Sequence, residues 1–222
     1  MTLRLDGVML SLAGRTLVPG LSLAVAPGEA ATVMGPSGCG KSTLLAWMTG
    51  ALDRRAFRAE GRLWCGAEEL TGLAPYRRRL GILFQDDLLF PHLSVGDNLL
   101  FGLDPAVRGR AARWAAVAAV LERAEMPAEF ARRDPATLSG GQRARVALLR
   151  VLLSRPRALL LDEPFSKLDA GLRDRFRRLV LDEARARGLP VLLVTHDPAD
   201  AEAAGGAVVR LGGGQAAMEE AP

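Results

Sequence analysis

The stretch Gly35-Pro36-Ser37-Gly38-Cys39-Gly40-Lys41-Ser42-Thr43 constrains this chain more than any other. It fits the pattern G-x-x-x-x-G-K-[ST], in which glycines let the backbone curl and turn successive N–H groups inward around anionic oxygens. Lys41 can reach the β- and γ-phosphates of a nucleotide, and the Ser42 hydroxyl can ligate Mg²⁺. The flanks agree. Ala30–Met34 reads as a short buried strand and Lys41–Thr49 as an apolar helix, which puts the phosphates at a helix N-terminus. Of the 29 basic residues only Lys41 and Lys167 are lysines, so an ammonium at position 41 is a specific choice.

At 222 residues the chain can hold one domain, or one core with an interleaved subdomain. A content of 49% apolar and 24% charged residues is ordinary for a globular protein. No apolar run is long enough to span a bilayer, and the alternating N-terminus reads as a strand rather than a signal peptide. Two cysteines, Cys39 and Cys65, give no disulfide framework and fit a reducing cytosol. The net charge of +4 is modest. Arginine clusters at Arg54-Arg55, Arg77-Arg78-Arg79 and Arg173–Arg178 read first as solvated faces. Contact with a membrane surface or membrane partner is compatible. Nucleic acid is not expected, because the aromatic interleaving that would support it is missing.

Along the chain, residues 1–34 read as short strands with turns at Ala13-Gly14 and Pro27-Gly28. Gly61–Cys65 and Leu80–Phe84 read as further strands, the second followed by Gln85 and the turn-prone Asp86-Asp87. Helices are expected from Ser94 as cap to about Leu103, from about Gly109 to Ala124, and from Gly141-Gln142 to about Ser154. A strand at Arg157–Leu161, a helix over Leu168–Arg187 and a strand at Pro190–Val194 follow. A last strand from Ala207 to Leu211 leads into a hairpin around Gly212-Gly213-Gly214. The order β, α, helical insert, then βαβ predicts a mostly parallel sheet with a helical subdomain inserted.

Phosphoryl transfer to water needs a cradle, a metal and a group that orients the attacking water. Asp162 ends an apolar strand where a carboxylate can hold Mg²⁺ through its water shell, and the next residue, Glu163, can polarise water as a general base. His196 follows the next strand. A lone histidine is more often structural, yet here it can donate to the γ-phosphate. Gln85 can place a neutral amide near metal and water. Leu138-Ser139-Gly140-Gly141-Gln142, ahead of a helix, is a second anion site about a hundred residues from the first. Two copies meeting head to tail can satisfy both sites with one nucleotide.

With these motifs in this order, the chain resembles the ATP-binding subunit of ABC transporters over essentially its whole length. GPSGCGKST (35–43), Gln85, LSGGQ (138–142), ALLLDEP (158–164), Ser166-Lys167-Leu168-Asp169 and Thr195-His196-Asp197 carry the resemblance. It implies an α/β P-loop NTPase core, an N-terminal antiparallel β subdomain, and an inserted helical subdomain. The nucleotide-binding core would comprise 1–86 and 156–222, and the helical subdomain 87–155. It implies ATP and Mg²⁺ as ligands, with Ser42, Gln85 and Asp162 at the metal, Glu163, His196 and Gln85 catalytic, and Asp169 in the D-loop. Ser139, Gly140, Gly141 and Gln142 of one protomer would contact the ATP held by the other, so that ATP closes a homodimer and hydrolysis releases it.

Phe84–Val95 is similar to the importer type, where this segment receives a membrane subunit. As chemistry, Leu88, Leu89, Phe90 and Leu93 form either a partner patch or a small satellite core. The longer matches are similar to ATPases of thiamine, iron or polyamine uptake. They imply a separate permease, a periplasmic solute-binding protein, and a peripheral place on the cytoplasmic face of the inner membrane. Mechanical envelope work (lipoprotein release or division) and a soluble, non-transport ATPase are the alternatives. One departure stands out. Leu12 lies where the family often stacks an aromatic on adenine, so weaker affinity or looser base selectivity is expected. The chain ends soon after its last strand, so no C-terminal regulatory domain is expected.

Overall fold

The structure is a computed structural model that describes residues 1–212 and, for the backbone, 215–219. Alternating apolar and polar residues over Leu3–Leu12 and Arg15–Val25 build two antiparallel strands, β1 and β2. At 10 and 11 residues they are longer than the short strands expected from sequence. Register shifts explain this, because bulges between Leu5 and Val8 and near Leu10 keep the apolar residues facing one side. Phe57–Cys65 (β4) pairs with the other edge of β1 and begins four residues before the expected Gly61. Gly61 sits at the bulge with φ 95°, where a Cβ would lie 2.6 Å from the Val8 Cα. With Glu68–Glu69 (β5), this sheet runs β2-β1-β4-β5.

The second sheet contains Ala30–Met34 (β3), Leu80–Leu83 (β6), Ala158–Asp162 (β7), Val191–Val194 (β8), Val208–Gly212 (β9) and Gln215–Glu219 (β10), in the order β10-β9-β3-β8-β7-β6. β3 is parallel to β8 and β9, and β7 is parallel to β8; β10 is antiparallel to β9. β3 and β8 are buried at every position, so they read as continuous apolar runs rather than alternating ones. Of the expected terminal hairpin, Gly213 and Gly214 lie outside the described residues.

Two compact units emerge. The first comprises Met1–Ile82, Arg157–Glu163 and Leu179–Pro222; the second comprises Leu83–Pro156 and Pro164–Arg178. In the first, Leu5, Leu10, Val33, Leu44, Met48, Leu160, Leu192 and Val209 share one core with helix α1 (Lys41–Thr49). A short helix, α2 (Pro75–Arg78), precedes β6. In the second, α3 (Val95–Gly102), α4 (Arg110–Arg123) and α5 (Gly140–Leu153) enclose Leu99, Val117, Leu121, Phe130, Val146 and Leu149. α6 (Ala170–Ala186) crosses the boundary in sequence, and α7 (Pro198–Ala204) follows β8.

One arginine of the second cluster departs from the solvated face expected of it, while Arg77 and Arg79 beside it are exposed. Arg78 is 3% exposed and donates to the carbonyls of Trp47 (2.8 Å), Met48 (2.7 Å), Thr71 (2.8 Å) and Leu73 (3.0 Å). The last carbonyls of a helix lack the N–H of a following turn; here Trp47 O takes the Gly50 N–H at 3.1 Å as well, and a planar, forked cation can reach several acceptors at once. Arg177, from the third cluster, is also buried, over the Phe165 ring in the second unit. The stretch from Leu88 to Leu93 divides. Leu89 packs on the helical core, Phe90 meets Phe101 edge-on at 4.6 Å, and Leu88 is 57% exposed.

Candidate functional site

β3 delivers the chain into the glycine loop. Gly35 has φ 155°, and a Cβ there would lie 2.3 Å from the Leu211 carbonyl oxygen, so only glycine fits. Gly40 then caps α1 with no side-chain acceptor among the described residues, leaving the first-turn amides to an external acceptor. Lys41 is 7% exposed, and its ammonium donates to Gly35 O (2.7 Å) and Pro36 O (3.0 Å). The cation is thus held across the mouth of the loop. Together these features fit a polyphosphate.

The Ser42 hydroxyl, in the first turn of α1, hydrogen-bonds the Asp162 carboxylate at the end of β7. Burial pushes the Asp162 carboxyl above its usual range, against the Ser42 hydrogen bond and the Lys41 charge, with Glu163 adding to the rise. A small oxygen donor beside a half-buried carboxylate is the donor set a hard divalent cation such as Mg²⁺ takes, with water completing its shell.

Glu163 leaves β7 in the left-handed region at φ 46°, pinned by its N–H to Val194 O at 2.9 Å. That conformation is uncommon for a residue with a side chain. Its Oε1 lies 3.1 Å from Nδ1 of His196, which follows β8. Carboxylate and imidazole thus come from neighbouring parallel strands, at their C-terminal ends, where such sheets gather ligands.

The first unit therefore brings together residues 35–43, Asp162, Glu163 and His196. Gln85, Ser139–Gln142 and Asp169 belong to the second unit. Gln85 is exposed just beyond β6. Ser139 caps α5 in a reciprocal box: its Oγ accepts from Gln142 N at 3.3 Å, and its own N–H donates to Gln142 Oε1 at 2.9 Å. The Ser139-x-x-Gln142 spacing was the legible signal for this cap. A Cβ on Gly141 would meet Leu172 Cδ1 at 3.0 Å. Asp169 Oδ1 accepts from Leu172 N at 3.0 Å and so starts α6.

Several contributors were not visible in sequence. Arg143 of α5 bonds Asp87 (3.2 Å) and Leu138 O (2.7 Å), while Arg150 donates to Leu88 O (2.9 Å). Lys167, the second lysine, pairs with Asp86. Apart from the Arg143–Leu138 bond, five residues apart, these contacts join residues far apart in sequence, and no local spacing reveals them. Leu12 is 38% exposed. A cavity of about 220 Å³ beside the glycine loop is lined by Arg15, Thr16, Leu17 and Pro19 of β2, with Pro36–Cys39 and Gly212. Among the described residues, no helix is long and apolar enough to cross a membrane.

The ABC transporter family model matches residues 18–166. An uncharacterized ABC transporter ATP-binding protein of Escherichia coli (strain K12), YnjD, is 52% identical over 196 residues, covering 88% of this chain and 89% of that protein. The Fe(3+) ions import ATP-binding protein FbpC 3 of Rhodococcus jostii (strain RHA1) is 42% identical over 99% of this chain, which spans only 62% of that relative's length. Among solved structures, the ATP-binding cassette MJ0796, a dimer in a post-hydrolysis state bound to ADP and Pi, matches with a TM-score of 0.79. It is 29% identical, with 98% of each chain covered. A family match across two thirds of the sequence, a relative alike over nearly all of it and a shared fold lead to one conclusion: this chain belongs to the ABC transporter family, as an ATP-binding and ATP-hydrolysing subunit that works with ATP and Mg²⁺.

Proposed function

We propose that this subunit energises uptake of a small solute through a separate membrane permease, working as a head-to-tail homodimer at the cytoplasmic face of the membrane. The observation that carries the site reading is the Glu163–His196 pair, at the ends of the strands one (His196) and two (Glu163) places from the strand that feeds the glycine loop. The loop amides and Lys41 bind the phosphates; Ser42 and Asp162 would hold Mg²⁺, for which Gln85 is a further candidate ligand, and the ion when bound would offset phosphate charge. Glu163 takes a proton from the attacking water, and His196 orients the Glu163 carboxylate and donates toward the γ-phosphate. Ser139–Gln142 at the start of α5 contact the nucleotide of the partner protomer, Gly140 and Gly141 through their amides while Ser139 and Gln142 hold the turn as its cap, and Asp169 belongs to the same junction. The compact unit that includes Leu83–Pro156 supports treating 87–155 as a helical subdomain; the proposed nucleotide-binding core, 1–86 and 156–222, also takes in Pro164–Arg178, which groups with that unit.

Import is favoured by the named role of the FbpC 3 relative; the solute itself is recognised by other subunits, among them a periplasmic binding protein. The test is co-purification of tagged Glu163→Gln with MgATP from detergent-solubilised native membranes. A multi-span permease traceable to a solute receptor is the expected result. A membrane protein with a large periplasmic domain and no receptor would replace import with mechanical envelope work. A wholly soluble set would overturn the transport reading.

A further inference from the structure

We propose that Asp200, through Thr195, is a positioning residue that sets the imidazole of His196; the inference rests on the reading of His196 above. Asp200 lies in the first turn of α7 and is only 3% exposed, and Thr195 is 2% exposed. A carboxylate in that position must be well hydrogen-bonded, because burying an unpaired charge is costly. The Thr195 hydroxyl donates to Asp200 Oδ2 at 3.1 Å and accepts the N–H of Asp197, also at 3.1 Å. One hydroxyl therefore ties the residue before His196 to the residue after it, and both to α7.

The other ends of this turn are fixed too. Thr195 N–H donates to Val33 O of β3 at 3.2 Å, and Asp197 Oδ1 accepts from Ala199 N at 2.9 Å. Threonine suits the place because its branched Cβ restricts χ1 and aims the hydroxyl. Between these anchors stands His196, whose side chain is 63% exposed and has little packing of its own to hold it. Its alignment with Glu163 is thus set by the turn rather than by neighbours. Misplacing a catalytic group by about 1 Å can cost on the order of 100-fold in rate, so a buried bond that touches no nucleotide still governs turnover.

The experiment measures kcat, KM and MgATP affinity for Asp200→Ala, Asp200→Asn and Thr195→Val, each alone and in a His196→Ala background. Histidine-selective NMR accompanies it, simple here because the chain has only His92 and His196. Expected are a fall in kcat of roughly tenfold or more for Asp200→Ala and Thr195→Val, MgATP affinity unchanged within about twofold, and much smaller loss for Asp200→Asn, which keeps an acceptor. In the His196→Ala background the same changes add almost nothing. In the single variants Asp200→Ala and Thr195→Val, where His196 is present, its resonance moves while that of His92 stays. An equal loss in both backgrounds, or a wild-type rate and unmoved His196 signal in Thr195→Val and Asp200→Ala, overturns the inference while leaving the ATPase reading intact. A wild-type rate in His196→Ala overturns the assigned role of His196 and this inference with it.

Discussion

His196 Nδ1 stands 3.1 Å from Glu163 Oε1, across the ends of two adjacent parallel strands. Only one of the two is well shielded: the side chains are 63% and 22% exposed, respectively. The imidazole thus braces the carboxylate from the solvent side. Removing it in His196→Ala frees Glu163 to rotate without disturbing the glycine loop. Turnover should fall by about 10²-fold or more, with MgATP affinity unchanged by equilibrium titration.

Lys41→Ala should abolish nucleotide binding, and Lys41→Arg should restore little. Lys41 is 7% exposed and its ammonium meets two loop carbonyls at 2.7 and 3.0 Å, a space shaped for a compact point charge rather than a planar fork. Isothermal titration with MgATP checks both variants.

Arg78→Ala should cost about 3 kcal/mol of stability or more, since four carbonyls lose a charged donor. Arg78→Lys should recover only part of it, because one ammonium cannot span the same acceptors. Chemical unfolding in urea supplies the numbers.

Parts of this molecule were legible residue by residue. Ala30–Met34, the glycine loop and Lys41–Thr49 fall where the sequence puts them, because an apolar run, a glycine turn and a helix are all local statements. Ser94 caps α3 as expected. The long β1 and β2 were not legible, since bulges interrupt their alternation and split them on paper into shorter pieces. α2 and α7, at 4 and 7 residues, are too short to show a period. Arg78 looked like one of three surface arginines, and its burial depends on helix carbonyls some thirty residues upstream. The Glu163–His196 pairing needed the strand order, which no spacing in the chain discloses.

The two thiols should behave differently. Cys39 lines the cavity beside the glycine loop and should be alkylated by maleimide, with MgATP protecting it. Cys65 is 2% exposed, and burial pushes its thiol above the ordinary 9.0, partly opposed by the charge of Arg157. It should stay unlabelled in the folded protein. Because the folded value is raised, the stability Cys65 contributes is full below the unfolded value, that same 9.0. It is lost as pH rises through the folded value. Cys65→Ser should flatten that alkaline loss in melting curves taken from pH 7 to 10.

Leu12→Tyr should tighten ATP binding by roughly fivefold or more, the gain from one stacked base. Binding of inorganic triphosphate should not change, which separates a base contact from a general effect on the glycine loop.

In the proposed mechanism Glu163 drives hydrolysis of ATP shared between two copies of the chain. Its most direct test is phosphate release and molar mass, measured together for wild type and Glu163→Gln in MgATP. Wild type should turn over steadily, and Glu163→Gln should show a rate lower by about 10²-fold or more with the mass of a dimer that persists only while ATP is present. A Glu163→Gln protein that hydrolyses ATP at the wild-type rate, or that stays monomeric in MgATP, would contradict the mechanism.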